Sequence, residues 1–305
     1  MEDNIENTNN IIMLHEKADN FNPKEENMKD EYQFFSNYID GDDEHKKNMN
    51  EGVKECDRYR DIKPNINNTI EINKNEKNKN HYINASGINY KNFIATQGPK
   101  PKKTVEDFWT MIDEQNSKVI VMLCKEVEGG KKKCANYWND KEEFGIFTKY
   151  AITYEKEEED NKEQEYIIRE LRLHKLNEKD SKNGDKIVTQ IHFTGWPDKG
   201  VPDIKNGNVF DHFIEIIKKV DEKREGGPVV VHCSAGVGRS GSFIAMYYLY
   251  KEILGQIKEN KDEIIFNVFN LVRKMKEQRL HMVQVFEQYK FIYDFVVHVL
   301  KKYNQ

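Results

Sequence analysis

Cys233 and Arg239 stand six positions apart in Val229-Val-Val-His-Cys-Ser-Ala-Gly-Val-Gly-Arg-Ser-Gly-Ser-Phe243. An apolar β-branched run ends at a thiol, and a small-residue loop leads into an apolar-periodic stretch that starts near Ser240. A strand, a tight loop and a helix N-terminus in that order bring backbone N–H groups and the positive end of a helix dipole into one small space. Such a cradle takes an anion. A thiol at its base should lose its proton readily, because the dipole and a nearby cation both favour thiolate, so Cys233 is expected to be a nucleophile at neutral pH. Arg239 can bring its planar fork round to the far side of the cradle and take two equatorial oxygens of a phosphoryl group. The pair suits phosphoryl transfer, in which charge spreads over those oxygens. The amides of Ser234, Ala235, Gly236, Val237 and Gly238 are the candidate phosphate cradle, with His232 supporting it from the end of the strand.

The same stretch contains Gly236-Val-Gly-Arg-Ser-Gly241, which satisfies the dinucleotide pattern G-x-G-x-x-G between a strand and a helix. Two features speak against that ligand. A thiol and a guanidinium sit within or beside the turn, and no strand ending in an acidic residue follows about twenty positions on, where a ribose would need it. An inert buried Cys233 beside a surface Arg239 would not need three glycines and two serines between strand and helix.

A thiolate that displaces an alkoxide or phenoxide needs a proton for the leaving group. Upstream, His192-Phe-Thr-Gly-Trp-Pro-Asp-Lys-Gly-Val-Pro202 carries Asp198 beside Trp196 and Pro197 in a Gly/Pro-punctuated loop. An aromatic hinge and a pre-shaped turn can swing the Asp198 carboxyl over the cradle as a lid.

The elements that must position these groups follow from pattern. Segments rich in β-branched residues predict strands over 119–124, 166–173, 186–193 and 229–233. Apolar residues at three- and four-residue spacing predict helices over 105–115, 209–224, 240–254, 265–279 and 285–302. Strands early, helices late and several mixed together indicate an α/β or α+β single domain. The aromatic stripe Phe286, Tyr289, Phe291, Tyr293 and Phe295 reads as core packing. Polar insertions over 65–80 and 155–165 read as surface loops, and no internal repeat is present.

The chain has 305 residues, 37% of them hydrophobic and 33% charged. Its mean hydropathy is −0.88. With 15 Tyr, 16 Phe and 3 Trp it has too many aromatics for a mostly disordered polymer. Charge is unevenly placed: residues 1–55 hold 15 acidic and 6 basic side chains, a formal −9, while the rest holds 42 basic and 38 acidic, a formal +4. That surplus accepts an anionic ligand but is too thin for a nucleic-acid track. Residues 1–44 read as an acidic, Asn/Glu-rich segment, partly helical or disordered, with one docked helix around 31–39; residues 45–305 read as the catalytic domain. No run approaches eighteen apolar residues and the first thirty positions lack a signal peptide, so no membrane span is expected. Cys56, Cys124, Cys134 and Cys233 are far apart, without CxxC or histidine spacing for zinc, so no metal or cofactor is expected and a reducing cytoplasm is the expected location. Asn67 and Asn84 match the N-glycosylation pattern, which carries little weight without a secretion signal.

With Cys233 and Asp198 placed, the sequence resembles the catalytic domain of the phosphotyrosine-specific protein tyrosine phosphatases, non-receptor type. His232-Cys233-x5-Arg239-Ser240 matches their signature and Trp196-Pro-Asp198 their mobile loop. Asp57-Arg-Tyr-Arg-Asp-Ile62, Tyr82-Ile-Asn-Ala-Ser86, Ala95-Thr-Gln-Gly-Pro99, Phe108-Trp109, Cys134-Ala-Asn-Tyr-Trp138 and Gln284-Val-Phe-Glu-Gln288 follow in family order, so the resemblance covers about residues 45–303.

The resemblance implies a highly twisted mixed β-sheet flanked by helices, with the signature loop between a central strand and a helix N-terminus. It implies metal-independent hydrolysis of phosphotyrosine on proteins through a phosphocysteine, without cofactor, by a monomer. Tyr59 would be the rim aromatic that deepens the entrance, and Asp61 would hold the backbone of a bound peptide. Ser240 would donate to the Cys233 thiolate, and Gln284 and Gln288 would position the attacking water. Glu128 would brace Arg239, and Lys133 would meet Asp198. Three departures stand out: Asp57 replaces the usual asparagine, Lys276 stands where many members have arginine, and His281 stands where some have glycine, narrowing any secondary pocket nearby. An inactive phosphotyrosine-binding module and a shallow-pocket phosphatase acting on phosphoserine or phosphoinositides are the rivals; the intact Cys233, Arg239, Asp198 and Gln288 oppose the first and Tyr59 the second.

Overall fold

A computed structural model describes residues 10–13, 21–41, 43–76, 80–89, 91–101, 104–138, 149–159, 165–176, 185–197, 200–204, 208–259, 261 and 263–303. Eight strands form one mixed sheet: β2 (Thr69–Glu71), β3 (Tyr82–Ile88), β4 (Phe93–Thr96), β11 (Val229–His232), β5 (Val119–Met122), β10 (Lys186–Phe193), β9 (Tyr166–Lys175) and β8 (Tyr150–Glu159), in that spatial order. The central strand β11 lies parallel to both neighbours, β4 and β5, and β5 lies parallel to β10; the outer pairs are antiparallel. Val229, Val230, Val231 and His232 are all fully buried. A parallel strand covered on both faces reads as an unbroken apolar run, which is why three successive valines stand here. Each such side chain stabilises the fold by about 1.5–3 kcal/mol on burial.

Helices cover the sheet. α1 (Glu25–Phe35) runs into one π-helical turn (Ser36–Asp40), and α2 (Asp43–Lys47) is short. α3 (Thr104–Glu114), α4 (Val209–Lys223), α5 (Gly238–Lys258), α6 (Val268–Gln278) and α7 (Phe286–Tyr303) complete the set. The α/β single-domain expectation agrees with this mixed, twisted sheet flanked by helices. α5 starts two residues before the expected Ser240 and runs on from 254 to Lys258. Four of the five stripe aromatics of α7 are buried: Tyr289, Phe291, Tyr293 and Phe295.

Two expectations need correction. The segment 265–279 is not one helix: Ile265 and Phe266 belong to strand β12 (Glu263–Phe266), whose residues alternate exposed and buried. Asn267 then caps α6, its Oδ1 accepting the Asn270 N–H at 2.8 Å, so a restart signal lies inside an apolar run that periodicity alone merges. The supposed loops also carry structure, since β2 lies within 65–80 and β8 extends through 155–159. A third element was unforeseen: β1 (Asn10–Met13) pairs antiparallel with β12.

The expected docked helix begins earlier than residue 31 and is fixed by packing. Met28, Phe35 and Ile39 are buried, and the Phe35 ring stacks on Phe269 at 4.9 Å and 12°. Asn84 is 1% exposed and bonded through Nδ2 to Asp57 and Ile62, so the folded chain cannot present it for glycosylation. Among the described residues no helix is long and apolar enough to cross a membrane.

Candidate active site

The signature loop hangs between the end of β11 and the first turn of α5. Gly236 adopts φ 73°, and a Cβ at that position would run into the Thr96 carbonyl; only glycine lets the loop turn this tightly against β4. Below the loop, Arg279 is fully buried and donates from Nε to Gly236 O at 2.9 Å and from Nη2 to Ala235 O at 3.1 Å. Its other donations go to Ser86 Oγ (3.0 Å) and Asn84 Oδ1 (2.7 Å). With those two carbonyls drawn toward Arg279, the Gly236 N–H points inward at the Cys233 sulfur. Burial brings the Arg279 guanidinium down to about 10, so it still carries its charge at neutral pH. A lone arginine closing a helix offers no sequence signal of what it will brace.

Cys233 lies at the base, 4% exposed, and its Sγ accepts the Gly236 N–H at 3.3 Å. Burial alone would raise its pKa. The Arg239 charge, the Ser240 hydroxyl and the Ser240 and Gly236 amides outweigh burial and hold the thiol below its ordinary value. The Ser240 hydroxyl has no partner meeting ordinary hydrogen-bond geometry, so its effect on the sulfur is a loose contact that a better-aligned donation would strengthen. Iodoacetate should therefore modify Cys233 at a pH where a solvent-exposed cysteine is still protonated. Measured alkylation rates that rise only above pH 8, near the ordinary thiol value of about 8.5, would contradict this.

Arg239 is held by Glu128 through two parallel bonds, Nη1 to Oε1 at 2.6 Å and Nη2 to Oε2 at 2.7 Å, and Nη1 also donates to Leu123 O at 3.0 Å. The Nη1–Nη2 edge faces Glu128. Burial opposes the charge, but the Glu128 bonds and the Cys233 sulfur raise the Arg239 pKa above its ordinary value. Glu128 stands on a two-strand hairpin, β6 (Val127–Glu128) and β7 (Lys131–Lys132). Gly129 and Gly130 turn it with φ 54° and 73°, the two-residue geometry that matches strand twist. The Lys125 N–H also donates to Glu128 Oε1, at 3.0 Å.

Around the thiol, Tyr59, Asp61, Lys133, Ser234, Ala235, Gly238, Arg239, Gln284 and Gln288 line a cleft of about 680 Å³, joined by Gly200 and Glu287. Tyr59 Oη and Ser234 Oγ share a hydrogen bond at 2.9 Å, and Ser234 Oγ lies 3.2 Å from Lys133 O. The Tyr59 turn is fastened by Arg58, whose guanidinium donates to Gly98, Lys132 and Pro99 carbonyls. Asp57, in place of the usual asparagine, accepts the Val53 N–H at 3.1 Å, the Tyr82 hydroxyl at 2.6 Å and the Asn84 amide at 2.9 Å. His232 is fully buried between the Tyr137 hydroxyl (2.8 Å) and Cys233 O (3.2 Å). Burial, the largest effect, pulls its pKa to about 3, which keeps the ring neutral. Gln288 lies over Gly238, where an added Cβ would come 2.8 Å from Oε1, and its Oε1 accepts the Gln284 N–H at 3.0 Å. Asp198 lies outside the described residues, so its meeting with Lys133 does too. On either side of it, Trp196 is buried and donates to Gly200 O at 2.9 Å, while Pro197 is exposed.

Of the described sequence-predicted residues, Tyr59, Asp61, Lys133, Cys233, Ser234, Ala235, Gly238, Arg239, Gln284 and Gln288 line this cleft, and Trp196 and Pro197 are not among its lining. A cleft of about 770 Å³ between residues 21–28 and α7 is lined by mixed charges and holds no nucleophile.

Comparison with known proteins supports the same grouping. The family model for protein-tyrosine phosphatase matches residues 53–298. Human tyrosine-protein phosphatase non-receptor type 20 is 37% identical over 263 residues, 82% of this chain and 55% of the relative. Tyrosine-protein phosphatase 2 of Dictyostelium discoideum is 40% identical over 213 residues, 70% of this chain and 53% of the relative. The chain therefore spans about half the length of these relatives. A solved structure of PTPN18 in complex with HER2-pY1196 phosphopeptides superimposes with TM-score 0.74 at 28% identity, covering 89% of this chain and 92% of the other. The loop, its bracing carboxylate and these matches together place the chain in the protein-tyrosine phosphatase family.

Proposed function

We propose that the chain is a metal-independent protein-tyrosine phosphatase that hydrolyses phosphotyrosine on proteins through a phosphocysteine intermediate. The observation that carries this is the buried Cys233 sulfur at the N-terminus of α5, with Arg239 locked opposite by two bonds to Glu128. In the first step the Cys233 thiolate attacks phosphorus, the bond to the tyrosyl oxygen breaks, and Asp198 gives that oxygen a proton. The phosphoryl oxygens meet the loop amides of 234–238 and the Arg239 guanidinium, which supply positive charge where the transition state is most negative. In the second step a water positioned by Gln284 and Gln288 attacks phosphorus, Asp198 takes its proton, and sulfur leaves as a thiolate supported by Ser240. Phosphate monoesters hydrolyse so slowly in water that transition-state stabilisation on the order of 20 kcal/mol is asked of this site.

Tyr59 at the rim and Cys233 at the floor set the substrate: a phosphotyrosine reaches the sulfur and the shorter phosphoserine does not. Asp61 holds the backbone of the bound peptide. The related PTPN18 structure contains a phosphorylated HER2 peptide, which supports tyrosine-phosphorylated proteins as the substrate class here. We place the catalytic unit over 45–305, preceded by the acidic segment 1–44, and its action as a monomer in the cytoplasm. All four cysteines are thiols, the state a reducing compartment maintains.

The test is phosphate release, with chelator present, from a phosphotyrosine peptide and its phosphoserine twin. Release from the first alone is expected; release from both at similar rates, or from neither despite binding, would refute the reading.

A second expectation concerns neighbouring phosphates. Lys276 is fully buried, with Nζ bonded to Asp40 at 2.6 Å, and the His281 ring lies beside the same carboxylate at 3.4 Å. The Lys276 ammonium and the His281 ring are both turned to Asp40, whose carboxylate opposes a second phosphate. Peptides with two adjacent phosphotyrosines should bind within about tenfold of singly phosphorylated ones, a difference below about 1.4 kcal/mol. A larger gain by calorimetry would count against this arrangement.

A further inference from the structure

The turn that carries Gln284 is strained and held from two sides. His281 and Val283 adopt φ 65° and 57°, a region that non-glycine residues rarely enter and β-branched ones least of all. From the active-site side, Val237 O accepts the Val283 N–H at 3.2 Å. α5 comes close at Gly241, where a Cβ would lie 2.6 Å from Val283 N. From the opposite side, residues 31–40 supply hydrogen bonds to the turn and to α7. Asp40 Oδ1 accepts the His281 N–H at 3.0 Å. The Tyr32 hydroxyl donates to Val283 O at 3.5 Å. Glu31 Oε2 accepts the hydroxyls of Tyr289 (2.6 Å) and Tyr293 (2.8 Å) on α7, the helix that carries Gln288. The segment itself cannot drift, because Phe35 stacks on Phe269 and the buried Lys276 ammonium holds Asp40 Oδ2 at 2.6 Å.

We propose that Asp40 and Tyr32 are positioning residues for the second chemical step: the N-terminal helix and its π-turn clamp the 281–283 turn and thereby set where Gln284 and Gln288 hold the attacking water. This rests on the covalent route given under Proposed function. The two steps make different demands. Attack by Cys233 uses the loop amides, Arg239 and Asp198, whereas Asp40 and Tyr32 bond to the 281–283 turn, which meets the loop through the Val283 N–H and Val237 O. In the second step water forms a bond to phosphorus, the S–P bond breaks with its electron pair returning to sulfur, and Asp198 accepts the proton. That step alone needs the glutamines. A strained turn without its brace relaxes, and a displacement of well under 1 Å at a water-positioning amide costs rate without costing substrate binding.

The experiment compares three variants of the full chain with wild type, using p-nitrophenyl phosphate, rapid acid quench and mass spectrometry for phosphocysteine. Lys276→Met keeps the Asp40 side chain beside the His281 N–H but removes the ammonium that holds it there, so it should lower kcat less than loss of Asp40 does, with kcat/KM changed less than about twofold. Asp40→Ala with Lys276→Met removes the brace without stranding a buried charge. It should lower kcat about tenfold with kcat/KM changed less than about twofold, release one equivalent of nitrophenolate in a burst, and accumulate phosphocysteine. Tyr32→Phe keeps the ring packing and removes only the donation to Val283 O, so it should show the same split to a smaller extent and decides the matter if the double variant does not fold. A parallel fall in kcat and kcat/KM, or an unchanged kcat in the folded variants, overturns the positioning role. If no phosphocysteine forms in wild type or any variant, the covalent route falls and this inference with it, whereas a trapped intermediate that the variants do not enrich overturns this inference alone.

Discussion

Replacing Cys233 by serine is expected to lower turnover of a phosphotyrosine peptide on the order of 10⁵-fold or more while leaving its binding intact. The reason is specific to the site. Burial would raise the Cys233 pKa, but the Arg239 charge and the Ser240 and Gly236 donors outweigh it and hold the thiol below its ordinary value, which favours the thiolate. A serine hydroxyl, with a far higher intrinsic pKa, stays protonated in the same surroundings, and the described residues place no base beside it, since His232 turns its ring to Tyr137 and the Cys233 carbonyl. The loop amides, Arg239 and Glu128 remain, so the phosphoryl group keeps its partners. Loss of the thiolate charge also removes a repulsion toward the dianionic ligand. Binding of the phosphopeptide by calorimetry should therefore be equal to or tighter than that of wild type. Turnover above about one per cent of wild type would point to direct attack by water and sink the covalent route.

The second large effect is expected at Arg239. Arg239→Lys retains a positive charge beside Glu128 but not the fork: an ammonium cannot make two parallel bonds to the carboxylate and offer a second planar edge to phosphate. A loss in kcat of roughly 10³ to 10⁵ is expected, the range for an arginine that meets transition-state charge in phosphoryl transfer. Folding should survive, because Glu128, at 6% side-chain exposure, still has a counter-charge; removing the charge altogether would strand it at a cost of about 3–5 kcal/mol. The melting temperature and kcat measured together separate the two effects. A lysine variant with activity within about tenfold of wild type would show that charge, and not the planar edge, is what Arg239 contributes.

How much of this was legible beforehand depended on sequence distance. The strand, the loop and the start of α5 are contiguous, so Cys233, Arg239 and Ser240 occupy one turn of chain whose geometry follows from local rules: β-branched residues up to the thiol, glycine where φ is positive, a helix beginning behind it. Helices with clean periodicity, such as α4 and α7, were equally readable. The run 265–279 was not, because a short strand and a capped helix share the same apolar composition, and a single asparagine separates them.

The braces could not be read at all without the fold. Glu128 lies 111 residues from Arg239, Tyr59 lies 175 from Ser234 and Asp40 lies 241 from His281. Likeness to a family could name Glu128 and Tyr59, but not the edge of Arg239 that Glu128 occupies. Nothing in the pattern around Asp40 distinguishes it from the fourteen other acidic residues of the first 55. A hydrogen bond or ion pair in a low-dielectric interior depends on which groups topology brings within 3 Å, and the pleated sheet and helix packing decide that. The sequence by itself determined the strand, loop and helix start that bring Cys233 and Arg239 into one turn of chain, and the chemistry such a pair suits; the tertiary structure decided what holds them still.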